Sequence, residues 1–108
     1  MQELKEKKCE PCESDTKPMT EKQVEKHMEM LTPEWEVVDN KKIKKSFSFG
    51  NFKRGMSFAQ EVALIAEKEQ HHPDICIHYT NVEIELTTHN IGGLSENDFI
   101  MAAKIEDL

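Results

Sequence analysis

Strict alternation of apolar and polar residues occurs in two places, and a helical period fills the interval between them. Ile43-Lys44-Lys45-Ser46-Phe47-Ser48-Phe49 sets Ile43, Phe47 and Phe49 on one face and Lys44, Ser46 and Ser48 on the other. The same pattern returns in Ile75-Cys76-Ile77-His78-Tyr79 and, after a Thr80-Asn81 turn, in Val82-Glu83-Ile84-Glu85-Leu86-Thr87-Thr88. A period of two means strands that bury one face only. The short β-prone stretch Trp35 to Asp39, followed by the turn residues Asp39-Asn40-Lys41-Lys42, completes a first hairpin. Between the hairpins, Phe52, Met56, Ala59, Val62, Ala63 and Ala66 form one helical stripe, widened by Phe58 and Ile65. Its small residues allow a helix to approach a sheet closely.

Two further helices flank this centre. Thr20-Glu21-Lys22-Gln23 is a capping box, and Val24, His27, Met28 and Leu31 follow at helical spacing until Thr32-Pro33 stops them. His27 lies on that stripe and reads as a packing residue. Ser95-Glu96-Asn97-Asp98 opens the last helix, with Phe99, Ala102, Ala103 and Ile105 on its apolar side. The loop before it, His89 to Leu94, carries Gly92-Gly93. The order αββαββα predicts an α+β two-layer sandwich, a four-stranded mainly antiparallel sheet with three helices on one face. An open edge strand in such a sheet invites a second subunit, so a homodimer or homotetramer is expected.

Composition bounds the partners. The 108 residues suit one domain, and a formal charge of −7 leaves no broad basic surface for nucleic acid. Lys41, Lys42, Lys44 and Lys45 form the one basic cluster, and its alternation suits a solvated strand face. No apolar run approaches the roughly 20 residues of a membrane span, and the start, Met1 to Lys8, does not read as a secretory signal. A cytoplasmic protein with a small neutral ligand is the expectation. Residues 1–18, mostly charged, read as a flexible N-terminal arm, and residues 19–108 as the folded domain. Cys9-Glu10-Pro11-Cys12 in the arm supplies two ligands where structural zinc takes four, and it reads as loosely held thiols. Cys76 falls inside a strand.

The chemistry concentrates in the histidines. His71-His72-Pro73 follows the long helix and His89 follows the last strand, at element ends where scaffolds display functional groups. Antiparallel pairing about the Thr80-Asn81 turn puts residue 74 near residue 87, so His71, His72 and His89 converge at one end of the sheet. Histidine both gives and takes a proton near neutral pH. Metal binding is the other use of such a cluster, but the adjacent His71 and His72 point in different directions, which favours acid/base work without a metal. No G-x-S-x-G turn supports nucleophilic catalysis.

Glu67, three residues, His71-His72-Pro73, five residues, Tyr79, nine residues, His89, eight residues and Asp98 form one fixed string. With Thr88-His89, Gly92-Gly93-Leu94-Ser95, Asn97-Asp98, Trp35 and Phe47-x-Phe49-x-x-Phe52, the string resembles the pterin-4a-carbinolamine dehydratase family over residues 19–108. Gln70 stands where asparagine is common in that family, and Thr87 where tryptophan often precedes Thr-His. The resemblance implies a hydro-lyase that dehydrates 4a-hydroxytetrahydropterin to quinonoid dihydropterin in tetrahydrobiopterin recycling, functionally linked to an aromatic amino acid hydroxylase. It implies His71, His72 and His89 as the catalytic set, with His71 and His89 the acid/base pair and His72 orienting the pterin. Gln70, Thr87, Thr88 and Asn90 would line the same site, and Glu67 and Asp98 would support the imidazoles. No cofactor and no metal are implied. The alternative is a protein-binding dimerisation or transcriptional cofactor role without essential catalysis, since some members partner a homeodomain transcription factor.

Overall fold

A computed structural model describes residues 3–13 and 15–108. Helix α1 spans Glu21–Met28, strand β1 Glu36–Val38, strand β2 Lys42–Ser48, helix α2 Phe52–Glu69, strand β3 Asp74–His78, strand β4 Asn81–Leu86 and helix α3 Glu96–Glu106. Single 3₁₀ turns lie at Leu4–Glu6 and His89–Ile91. At the start of α1 the Gln23 N–H donates to Thr20 Oγ1 at 3.3 Å while Thr20 N–H donates to Gln23 Oε1 at 2.9 Å. That reciprocal pair is the capping box read from the sequence. Asn51 Oδ1 takes the Arg54 N–H at 2.9 Å and starts α2 in the same way.

All strand pairs are antiparallel and the order is β1-β2-β4-β3. The register Ile43↔Leu86, Lys45↔Ile84, Phe47↔Val82 stacks one apolar face, and Ile75↔Ile84 extends it toward β3. Ile43, Val82, Ile84 and Leu86 are fully buried there against Val62 of α2 and Phe99 and Met101 of α3, in the expected two layers. The opposite face is polar. On it Lys42 Nζ meets Glu85 Oε1 at 2.6 Å, a contact that lowers the Glu85 pKa and raises that of Lys42. The lysine run is thus largely a solvated strand face. Lys45 departs from it: its position falls on the core side, where its Nζ reaches Thr32 Oγ1 at 3.2 Å and lies 4.7 Å from the Phe47 ring centroid. Its stem covers apolar surface while its charge escapes at the rim.

Two local expectations need correcting. The second hairpin turns at Tyr79-Thr80, one residue earlier than read, because His78 pairs with Asn81. Tyr79 takes a positive φ of 52° there and is 75% exposed, so it does not continue the buried alternation of Ile75. Ile77 is also exposed, since β3 is the sheet's outer strand with no neighbour beyond it.

The segment expected as a flexible arm lies, where it is described, against α3. Leu4 is buried against α3, and Lys104 Nζ donates to the Lys5 carbonyl at 2.8 Å. Cys9 N–H donates to Glu69 Oε1 at 2.8 Å, and Glu10 N–H to Asn97 Oδ1 at 3.0 Å. The described part of the arm is therefore a strap along α3. Its order comes from polar side chains of the domain that bond its backbone, which the arm's own composition does not reveal. With the sheet side on one flank and the strap on the other, α3 is buried nearly all round from Asn97 to Ala102.

Candidate active site

The first half of the site grows out of the end of α2. Gln70 caps the helix in the left-handed conformation, φ 55° and ψ 39°, and His71 N–H reaches back to the Ala66 carbonyl at 3.2 Å. This is a Schellman-type end on a non-glycine residue, a local strain of about 1 kcal/mol. Asparagine tolerates that conformation more readily, and Gln70 offsets the difference by donating its amide Nε2 to the Glu67 carbonyl at 2.6 Å. The sharp turn throws His71 inward and leaves His72 outside. His72 Nε2 lies 2.5 Å from Glu67 Oε2, both side chains exposed.

His71 meets a fully buried acidic side chain. Its Nε2 is 2.7 Å from Oδ1 of Asp98, a carboxylate with no exposure to solvent. The other oxygen of Asp98 accepts from Thr88 Oγ1 at 2.8 Å and from the Ser95 N–H at 3.0 Å. Thr88 Oγ1 also lies 2.7 Å from Ser95 Oγ. Asp98 thus bonds the first turn of α3 and the His71 ring at once. The contact pairs His71 Nε2 with a carboxylate oxygen, and an imidazole that carries its proton on Nε2 keeps a lone pair on Nδ1.

The second half comes from the end of β4. Thr88 N–H donates to the Gly93 carbonyl at 2.9 Å, closing a small loop that displays His89 and Asn90 at the surface. Gly92 turns the loop with φ 68°. Gly93 is needed for a different reason: a Cβ there would lie 2.6 Å from Cβ of Pro18. Thr87 Oγ1 anchors the loop's start to the Lys41 carbonyl at 2.5 Å.

Both halves face one cleft of about 560 Å³. Gln70, His71, His72, Thr87, Thr88, His89 and Asn90 all line it, so every residue expected around a ligand is brought together. Glu67 and Asp98 stand behind the histidines they contact. Two other hollows, of about 610 and 810 Å³, contain no histidine or cysteine among their walls. His27 and His78 lie away from the cleft: His27 packs on Phe99 at 5.1 Å between ring centroids, and His78 sits on exposed β3. Among the described residues no group of three or more His, Cys, Asp or Glu is arranged to hold a metal ion.

Sequence reasoning missed part of the wall. Cys9, Glu10, Pro11, Cys12, Lys68, Glu69 and Asn97 also line the cleft. The signal available was Asn97, a polar residue at a position the helical stripe leaves unexplained, which is buried and bonded to the strap. The Cys9 thiol is half-buried, and desolvation together with the Glu69 carboxylate pushes its pKa up to about 12. It is a neutral thiol at physiological pH.

Residues 17–108 match the family described as Pterin 4 alpha carbinolamine dehydratase. A protein of Rubrobacter xylanophilus is 43% identical over 108 residues, covering 100% of both chains. One from Nitrosomonas eutropha is 42% identical over 106 residues, 98% of this chain and 93% of its own. Both bear the name of a candidate pterin-4-alpha-carbinolamine dehydratase. Among solved structures, a transcriptional coactivator/pterin dehydratase from Brucella melitensis superposes with a TM-score of 0.78 at 34% identity, over 83% of this chain and 96% of that one.

Proposed function

The chain belongs to the pterin-4-alpha-carbinolamine dehydratase family, and from that premise we propose that it dehydrates 4a-hydroxytetrahydropterin by histidine acid/base catalysis. The observation that carries the reading is the His71–Asp98 contact of 2.7 Å at the wall of a cleft shared with His72 and His89. In the reaction the C4a–O bond breaks, the N5–H proton leaves, and a C4a=N5 double bond forms with release of water. His71, with a lone pair on Nδ1 and a buried carboxylate to stabilise the imidazolium, takes the N5 proton. His89, displayed on the adjoining loop, delivers the proton to the departing hydroxyl. Each positioned group of this kind contributes about 10²–10⁴-fold. His72 orients the ring, with Glu67 fixing its imidazole, and Gln70, Thr87, Thr88 and Asn90 shape the walls.

The product feeds tetrahydrobiopterin recycling in the cytoplasm, beside a pterin-dependent aromatic amino acid hydroxylase. A homo-oligomer fits the surface: Ile77 and Tyr79 are exposed at the outer strand, and Phe52 and Leu64 of α2 are 49% and 71% exposed. The second reading is a protein-binding role, favoured by the coactivator title of the Brucella structure. The decisive experiment is the dehydration rate of wild type, His71→Ala and His89→Ala with chemically prepared 4a-hydroxytetrahydropterin. A rate enhancement lost in both variants supports catalysis; a wild type without enhancement leaves the binding role.

A further inference from the structure

Three buried or bonded side chains hold the segment Cys9-Glu10-Pro11-Cys12, and each is the sequence neighbour of a site group or one step from it. Glu69, two residues before His71, accepts the Cys9 N–H at 2.8 Å, and its side chain is only 5% exposed. Asn90, next to His89, donates to the Cys12 carbonyl at 3.2 Å. Asn97, next to Asp98 and buried, holds the Glu10 backbone through both its amide groups: its Oδ1 accepts Glu10 N–H at 3.0 Å and its Nδ2 donates to the Glu10 carbonyl at 2.6 Å. The same Nδ2 lies 3.5 Å from Cys12 Sγ. The anchors around residues 9–12 tie the strap to all three segments that carry the histidines and their carboxylate, and this stretch lines the cleft between them.

We propose that the segment of residues 9–12 is a wall of the ligand site and that Asn97 is the positioning residue that holds it in place. The proposal rests on the pterin reading above. Cys9, Pro11 and Cys12 give this wall three small, weakly polar side chains beside the charged Glu10, Lys68 and Glu69, and such side chains can pack beside a flat uncharged heterocycle. The wall lies with the strap and not with the proton-transferring groups, so it acts equally on ground and transition states. Its loss therefore raises KM and leaves kcat in place.

Two measurements on the full-length chain test this. The first is iodoacetamide labelling at pH 8, with and without 7,8-dihydrobiopterin, whose binding is followed separately by fluorescence anisotropy. Cys9, held as a thiol, labels slowly; Cys12 is the reporter, and exposed Cys76 on β3 is the reference. Saturating pterin is expected to slow Cys12 labelling about tenfold and leave Cys76 unchanged. The second is Asn97→Ala, which removes both hydrogen bonds to Glu10 and is expected to raise KM and the pterin Kd about tenfold, with kcat within twofold. Should that variant not fold, the labelling result on wild type decides alone. Pterin that binds while Cys12 labels at its free rate overturns the wall and leaves the dehydratase reading intact. Pterin that does not bind wild type overturns that reading, and the wall with it.

Discussion

His71 and Asp98 stand 27 positions apart in the chain and 2.7 Å apart in space, and the carboxylate between them is closed to solvent. One residue thereby starts α3 and aims the imidazole at the end of α2. Fold and site share an atom set, so perturbing either moves the other.

Asp98→Asn keeps the size and part of the capping while removing the charge behind His71. The expected result is a 10–100-fold fall in kcat with little change in KM, read by steady-state dehydration kinetics. A loss confined to KM contradicts the orienting role.

Gly93→Ala places a methyl group 2.6 Å from Pro18 Cβ. Either the strap or the His89 loop must shift, and overpacking of this kind costs about 1–3 kcal/mol. Thermal melting should show a lower Tm, and kcat should fall with it because the loop displays His89. Gly50→Ala, with open space around it, is the control and should leave both unchanged.

Much of this was legible in the sequence. Alternation at Ile43–Phe49 and Val82–Thr88, the Thr20 and Ser95 helix starts, and the convergence of His71, His72 and His89 all follow from local periodicity and antiparallel pairing. The convergence survived a turn placed one residue late, because a shift of one residue in the turn moves the paired ends by only two. What failed was non-local. Nothing in Tyr79 or Ile77 announces that β3 is the outer strand. The strap escaped for a related reason: its hydrogen-bond partners, Glu69, Asn97 and Lys104, are polar residues far off in sequence, and charge-rich composition reads as disorder until those partners are known.

Strap docking makes its own prediction. Leu4→Ala removes the apolar anchor against α3 and should cost about 2 kcal/mol, the low end for a buried leucine. Urea denaturation measures it. An unchanged midpoint means that residues 3–6 do not dock in solution.

Cys9 gives the strap a signed pH dependence. Its pKa is raised from 9.0 to about 12 in the folded chain, so the folded state holds a proton that the unfolded state has lost between those values. Stability from this group is complete below pH 9 and declines as pH rises toward 12. Cys9→Ala should flatten that part of the stability curve in alkaline urea titrations, and an unaltered slope contradicts burial of the thiol.

Single-turnover dehydration of 4a-hydroxytetrahydropterin by wild type and His89→Ala tests the central claim most directly. The predicted result is a rate constant about 10²–10⁴-fold lower in the variant, with an unchanged melting temperature and a wild-type rate that survives EDTA. A His89→Ala protein that keeps the wild-type rate, or a wild-type activity that EDTA abolishes and zinc restores, contradicts the acid/base account.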